Sequence, residues 1–110
     1  MSRLPLSPAL VAVLQALVDG ACYGFDIIDA TGLPSGTVYP ALARLEHDWL
    51  VASRWEPHRI AQRDKRPPRR YYEVTPAGER RLAEAVAALK ERDRAVRARA
   101  RGWPPLRTRS

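Results

Sequence analysis

In this 110-residue chain the side chains best suited to chemistry are three hydroxyls, a guanidinium and a proline ring gathered between Ser35 and Arg44. Read as a helix, the segment buries Val38, Leu42 and Leu45, and Trp49 prolongs the stripe at the same alternating spacing. Gly36, Thr37, Tyr39, Pro40, Ala43, Arg44 and His47 then face outward. Hydroxyl and guanidinium groups on a slim polar face suit base edges and phosphates in a major groove, and a proline ring suits a thymine methyl. Ser35, Thr37, Tyr39, Pro40 and Arg44 are therefore the candidate DNA-contacting residues of a recognition helix. Tyr39 has a competing use, packing its ring on the end of the preceding helix and lending only its hydroxyl to a phosphate.

Other chemistries find no support. His47 and His58 belong to no metal-ligand spacing, no glycine-rich phosphate loop occurs, and Asp26 and Asp29 read as solvated acids on a short helix. Cys22 is the only cysteine, which excludes an intrachain disulfide and a multi-cysteine metal site. Its place between two helices predicts a buried small hydrophobe, with a redox sensor as the alternative. No catalytic residue, metal or cofactor is expected, and an enzyme is not.

A reading face needs elements that hold it. Tyr23 to Glu46 reads as two short helices, the first stopped after Thr31 by Gly32-Leu33-Pro34 and the second starting near Ser35. That is a helix-turn-helix. Val51 to Glu56 alternates like a half-buried strand, and Arg70 to Thr75 is a second run rich in aromatic and β-branched residues. The loop between them, Pro57 to Arg69, carries five Lys or Arg against one Asp. It predicts a basic wing tip whose Arg59, Arg63, Lys65, Arg66 and Arg69, with Arg70, reach phosphates or the minor groove. The expected fold is mainly α with a small β-hairpin: a winged helix-turn-helix over residues 1–75, a C-terminal dimerisation helix over 76–102 and a flexible tail over 103–110.

The two outer helices point to self-association. Ser7 is a good N-cap and Pro8 a good first helical residue, and from Ala9 to Val18 only Gln15 is polar. A helix apolar all round must be covered on every side, and a second subunit is the simplest cover. In the last helix, with Thr75 as cap and Pro76 first, Leu82, Val86, Leu89, Asp93, Val96, Ala100 and Trp103 recur as a heptad seam. Asp93 either ends the seam at Leu89 or pairs across the interface with Arg92 or Arg94. Packing against the chain's own first helix competes for the same positions, and both contacts are expected. The predicted dimer residues are Leu10, Leu14, Leu82, Val86, Leu89 and Val96. Lys90 to Arg101 holds six Lys or Arg against two acids, read as a solvated helix face, with extra phosphate contacts or a disordered basic arm as the alternatives.

A net charge of +7 and a pI near 10.5 call for a polyanionic partner, nucleic acid ahead of an acidic membrane surface. No run approaches the roughly 18 apolar residues of a membrane span, and the N-terminus lacks a signal-peptide pattern. A soluble, cytoplasmic protein is expected.

Tyr23-Gly24-Phe25, Ser35-Gly36-Thr37-Val38-Tyr39-Pro40-Ala41-Leu42, Leu45-Glu46 with Leu50-Val51, and Arg69-Arg70-Tyr71-Tyr72 with Thr75-Pro76-Ala77-Gly78 resemble the PadR family of bacterial transcriptional regulators. The likeness runs from about Ser7 to Leu89. It implies a homodimeric repressor whose single C-terminal helix dimerises, with a small aromatic or amphipathic effector near the dimer interface. Twofold symmetry then requires an inverted-repeat operator in double-stranded DNA. The alternatives are a winged helix that binds nucleic acid without sequence preference and one that docks proteins. Trp49 departs from the family, which usually has glycine there, and predicts a locally different turn with Trp49 in the core.

Overall fold

Helix starts and stops follow local chemistry. The computed structural model describes residues 5–102, which run α1 (Pro8–Val18), α2 (Gly24–Thr31), α3 (Ser35–His47), β1 (Val51–Trp55), α4 (His58–Arg63), β2 (Arg70–Val74) and α5 (Pro76–Gly102). Ser7 Oγ accepts the Leu10 N–H at 3.2 Å, and Thr75 Oγ1 accepts the Gly78 N–H at 3.0 Å. Both caps satisfy amides that a helix start leaves unpaired. Gly32, at φ 72°, ends α2 in the left-handed conformation that glycine enters without a Cβ penalty. The expected tail over 103–110, and Trp103 of the seam, lie outside the described residues.

The strands pair antiparallel, with Val51 opposite Val74 and Trp55 opposite Arg70. Thr75 leaves the expected second strand because it turns to cap α5. Glu56 lies just beyond β1, although its N–H still donates to the Arg69 carbonyl at 2.7 Å. A bridge from Tyr23 to Tyr71, with the Tyr72 N–H donating to the Cys22 carbonyl at 2.7 Å, lays the start of α2 against the outer edge of β2. That covers an otherwise open sheet edge.

The core gathers Val13, Leu14 and Leu17 of α1, Ile27 of α2, Val38, Leu42 and Leu45 of α3, and Leu50, Val51 and Leu82. Each wholly buried aliphatic side chain contributes about 1.5–3 kcal/mol. Of the residues expected at the dimer interface, Leu14 and Leu82 are buried in the protomer's own core, the competing contact expected for these positions. Gly78 lets the first turn of α5 ride directly on the turn after α3, where a Cβ would collide with the Leu50 carbonyl.

Three further expectations need correction. Trp49 does not enter the core: it is 80% exposed and sits at φ 62°. The Leu50 N–H donates to Leu45 and the Trp49 N–H to Glu46, so α3 ends in a Schellman motif with Trp49 where glycine is usual. The turn takes the usual left-handed shape and the side chain is expelled into solvent. Cys22 is exposed, its thiol donating to the Gly20 carbonyl at 3.4 Å, because the Tyr23 bridge turns the linker toward solvent. Finally, the wing loop contains α4, whose Ala61 is buried. Six residues are too few to display a helical period in sequence.

Candidate nucleic-acid interface

Helix α3 carries the residues expected to form a reading face. Val38, Ala41, Leu42 and Leu45 anchor it, leaving Ser35, Gly36, Tyr39, Pro40, Ala43, Arg44 and His47 exposed and Thr37 half-buried. Arg44 Nε rests 3.1 Å from Asp48 Oδ2 on the surface. An exposed pair at this spacing stabilises by about 0.3–0.5 kcal/mol, little enough for the guanidinium to leave for a base or phosphate. Tyr39 takes the competing arrangement: its ring lies against Gly24, and a Cβ there would overlap the phenol. The residue remains 46% exposed, while its phenol end, hydroxyl included, lies against Gly24 and locks α3 onto the start of α2.

The six wing cations divide in two. Arg59, Arg63 and Lys65 are exposed on α4 and the turn after it, with Arg63 Nε 3.5 Å from Asp64. Lys65 closes α4 at φ 53° in a second Schellman turn, its N–H donating to Gln62 and that of Arg66 to Ala61. Arg66, Arg69 and Arg70 are engaged within the protein. Arg66 forks onto Glu56 at 2.6 and 2.8 Å with only 22% of its side chain exposed, so its expected phosphate contact is corrected to a structural ion pair. Arg69 lies 4.4 Å over the Tyr23 ring and donates to its hydroxyl at 3.0 Å. Arg70 reaches Glu46 at 3.4 Å and stacks 5.1 Å over Trp55.

Two acids that sequence reasoning passed over organise these contacts. Glu46 accepts from Ser53 on β1 and from Arg70 on β2, tying the recognition helix to both strands. Glu56 is 3% exposed and accepts from Arg66, from the Tyr71 hydroxyl at 2.7 Å and from the Arg69 N–H at 3.4 Å. The Arg66 fork holds the Glu56 carboxyl at about 2, overcoming the upward push of burial, with Tyr71 and Arg69 assisting. The same carboxylate raises the Tyr71 phenol. The available signal for Glu56 was its position, one residue before a loop counted as almost purely basic.

A cleft of about 390 Å³ separates the start of α2 from the base of the wing, lined by Tyr23, Phe25, Tyr39, Arg69, Arg70 and Tyr72. Aromatic faces and guanidinium groups side by side suit an anionic, partly planar partner. Among the described residues no group of three or more His, Cys, Asp or Glu could hold a metal ion. No described helix is long and apolar enough to cross a membrane.

Of the predicted dimer residues, Leu10 and Val86 pack partly against the core, while Leu89 and Val96 are exposed on α5. Asp93 pairs with Arg97 of its own helix at 3.2 Å, and Arg94 with Glu91 at 3.0 Å.

The family model of the transcriptional regulator PadR-like family matches residues 13–84. Among solved structures, a PadR-like transcription factor from Bacteroides fragilis is 31% identical, with a TM-score of 0.69 over 81% of this chain and 86% of that one. Bordetella bronchiseptica BpsR, whose DNA binding is regulated by 6-hydroxynicotinic acid, is 27% identical with a TM-score of 0.69 over 96% of this chain and 73% of its own. A PadR family transcription regulator from Clostridium difficile reaches a TM-score of 0.73 at 22% identity, over 84% and 97% of the two chains, a likeness of fold. No curated protein matches the chain.

Proposed function

The chain belongs to the PadR-like family of transcriptional regulators, and from that membership we infer that it is a homodimeric repressor that reads an inverted-repeat operator. The observation that carries this reading is the outward face of α3, where Pro40 and Arg44 are exposed and Thr37 half-buried, in a chain whose wing helix α4 also leaves its cations exposed. Thr37 and Arg44 read bases, Ser35 and the Tyr39 hydroxyl meet phosphates, and Arg59, Arg63 and Lys65 hold the backbone alongside. Two copies joined through α5 present two such faces, which sets the twofold symmetry of the operator.

The groove of about 660 Å³ between α1 and α5, lined by Pro8, Val11, Ala12, Ala85 and Leu89, has the volume of a small-molecule site. A small aromatic effector seated there lies where a partner helix docks, so that it changes the spacing of the two reading heads. The regulation of BpsR by 6-hydroxynicotinic acid supports that class of effector.

The test is a pair of titrations at one salt concentration, on an operator mapped by footprinting upstream of the gene and on scrambled DNA of equal length. Thr37→Ala and Arg44→Ala should each lose about 1–3 kcal/mol on the operator and little on scrambled DNA. Equal losses on both would leave α3 a positioning element and sink the base-reading role.

A further inference from the structure

Helix α4 has six residues, no side-chain N-cap and one buried side chain, Ala61, yet it carries two of the three exposed wing cations. A helix this short has little stability of its own. What closes the segment is a single buried acid. Glu56 lies one residue beyond β1 and Arg66 lies three beyond α4, and the two-point contact between them pinches the loop shut at its base. Arg66 also reaches Asp64 at 3.3 Å, at the C-cap of α4. The same two Glu56 oxygens also accept the Tyr71 hydroxyl from β2, on Oε2, and the Arg69 N–H from the returning chain, on Oε1. Tyr71 in turn packs 5.7 Å from Tyr23, whose hydroxyl receives Arg69. One carboxylate therefore joins the loop to the hairpin and, through Tyr71 and Tyr23, to the start of α2.

An ion pair this deeply covered seldom stabilises more than apolar residues of the same size would, because both charges lose water. Its distinctive contribution is geometry: a planar fork against a planar carboxylate admits few arrangements. We propose that Glu56 is the positioning residue of the wing, fixing α4 so that Arg59, Arg63 and Lys65 meet the DNA backbone as a set while α3 occupies the groove. This rests on the DNA-binding reading above and adds to it a residue that touches no DNA. The wing is thus a closed, preorganised arm, and its phosphate contacts do not require the loop to be ordered at the moment of binding.

The test compares salt slopes of DNA binding well below the unfolding temperature. For the unmodified protein the slope of log affinity against log salt should include roughly 0.9 for each wing phosphate contact. The triple variant Arg59→Gln/Arg63→Gln/Lys65→Gln removes that share. Glu56→Gln/Arg66→Met deletes the ion pair as a unit, leaving no orphan charge, and should lose a comparable share of slope while the ratio of operator to scrambled affinity is retained. Glu56→Asp, which keeps the charge and withdraws it by one methylene, should lose an intermediate share. Added to the triple variant, Glu56→Gln/Arg66→Met should change the slope no further. A full slope in either folded Glu56 variant, or a further loss in the combined one, overturns the positioning role. Failure of the unmodified protein to bind DNA in a salt-dependent way overturns the DNA-binding reading itself, a separate and recognisable result.

Discussion

Trp49 shows how a single side chain can conflict with its backbone and leave the fold intact. At φ 62° its Cβ crowds the following carbonyl, and with 80% of the residue in water little burial compensates. The turn survives because it is tied down independently. Thr75 Oγ1 donates to the Trp49 carbonyl at 2.7 Å while accepting from Gly78, and the Thr75 N–H donates to Leu50 at 3.0 Å. Trp49→Gly should therefore stabilise the protein by about 1 kcal/mol, the cost of a left-handed L-residue. At fixed protein concentration that raises the melting temperature by roughly 4–8 °C in a domain of this size. An unchanged or lower melting point would mean that the indole makes a contact worth more than the strain, and the exposed face of Trp49 would then be an interface.

Among the elements, the hairpin with its inserted helix depends most on ionisation. The Glu56 carboxyl sits at about 2 when folded against 4.5 ordinarily. Because the folded value is the lower, its stabilising contribution is complete above pH 4.5 and disappears as the pH falls toward 2. Melting temperatures measured across that window should fall more steeply for the unmodified protein than for Glu56→Gln, and identical pH profiles would show that the carboxylate is not linked to folding. The contrast between elements also explains what could be read in advance. Helix α3 was legible because Val38, Leu42 and Leu45 repeat over a length sufficient to show a period, and its start and the ends of α2 are marked by glycine and proline. Helix α4 was not, since its six residues offer one buried alanine and a run of charges. The roles of the wing arginines were hidden for a different reason: a cation's partner is a matter of three-dimensional neighbours, and Glu46 lies 24 positions from Arg70. Counting charge along the chain therefore did not separate the cations engaged within the protein from those left exposed.

Across the molecule, the radius of gyration is 19.3 Å, well above the roughly 13 Å of a compact chain this long. The excess is α5. Its first turns pack on α1 and β2, but from Ala87 to Gly102 every residue is exposed, including Leu89 and Val96. Pairs such as Asp93 with Arg97 add a few tenths of a kcal/mol each to such a helix. Leu89 and Val96 have no cover within the protomer, and a second copy is the cover proposed for them. Heptad spacing alone could not separate the inner half of the proposed seam, Leu82, which the protomer buries, from its outer half, Leu89 and Val96, which is exposed. That division makes a clean experiment possible. The unmodified protein should sediment as a dimer at micromolar concentration, with a melting temperature that rises with concentration. Leu89→Glu/Val96→Glu places like charges on the proposed seam without entering the core, and should yield monomers whose winged-helix domain still melts cooperatively while the helicity contributed by residues 87–102 declines. A monomeric mass for the unmodified protein, or a dimer unaffected by both charges, would remove α5 as the dimerisation element and leave the twofold operator without a structural basis.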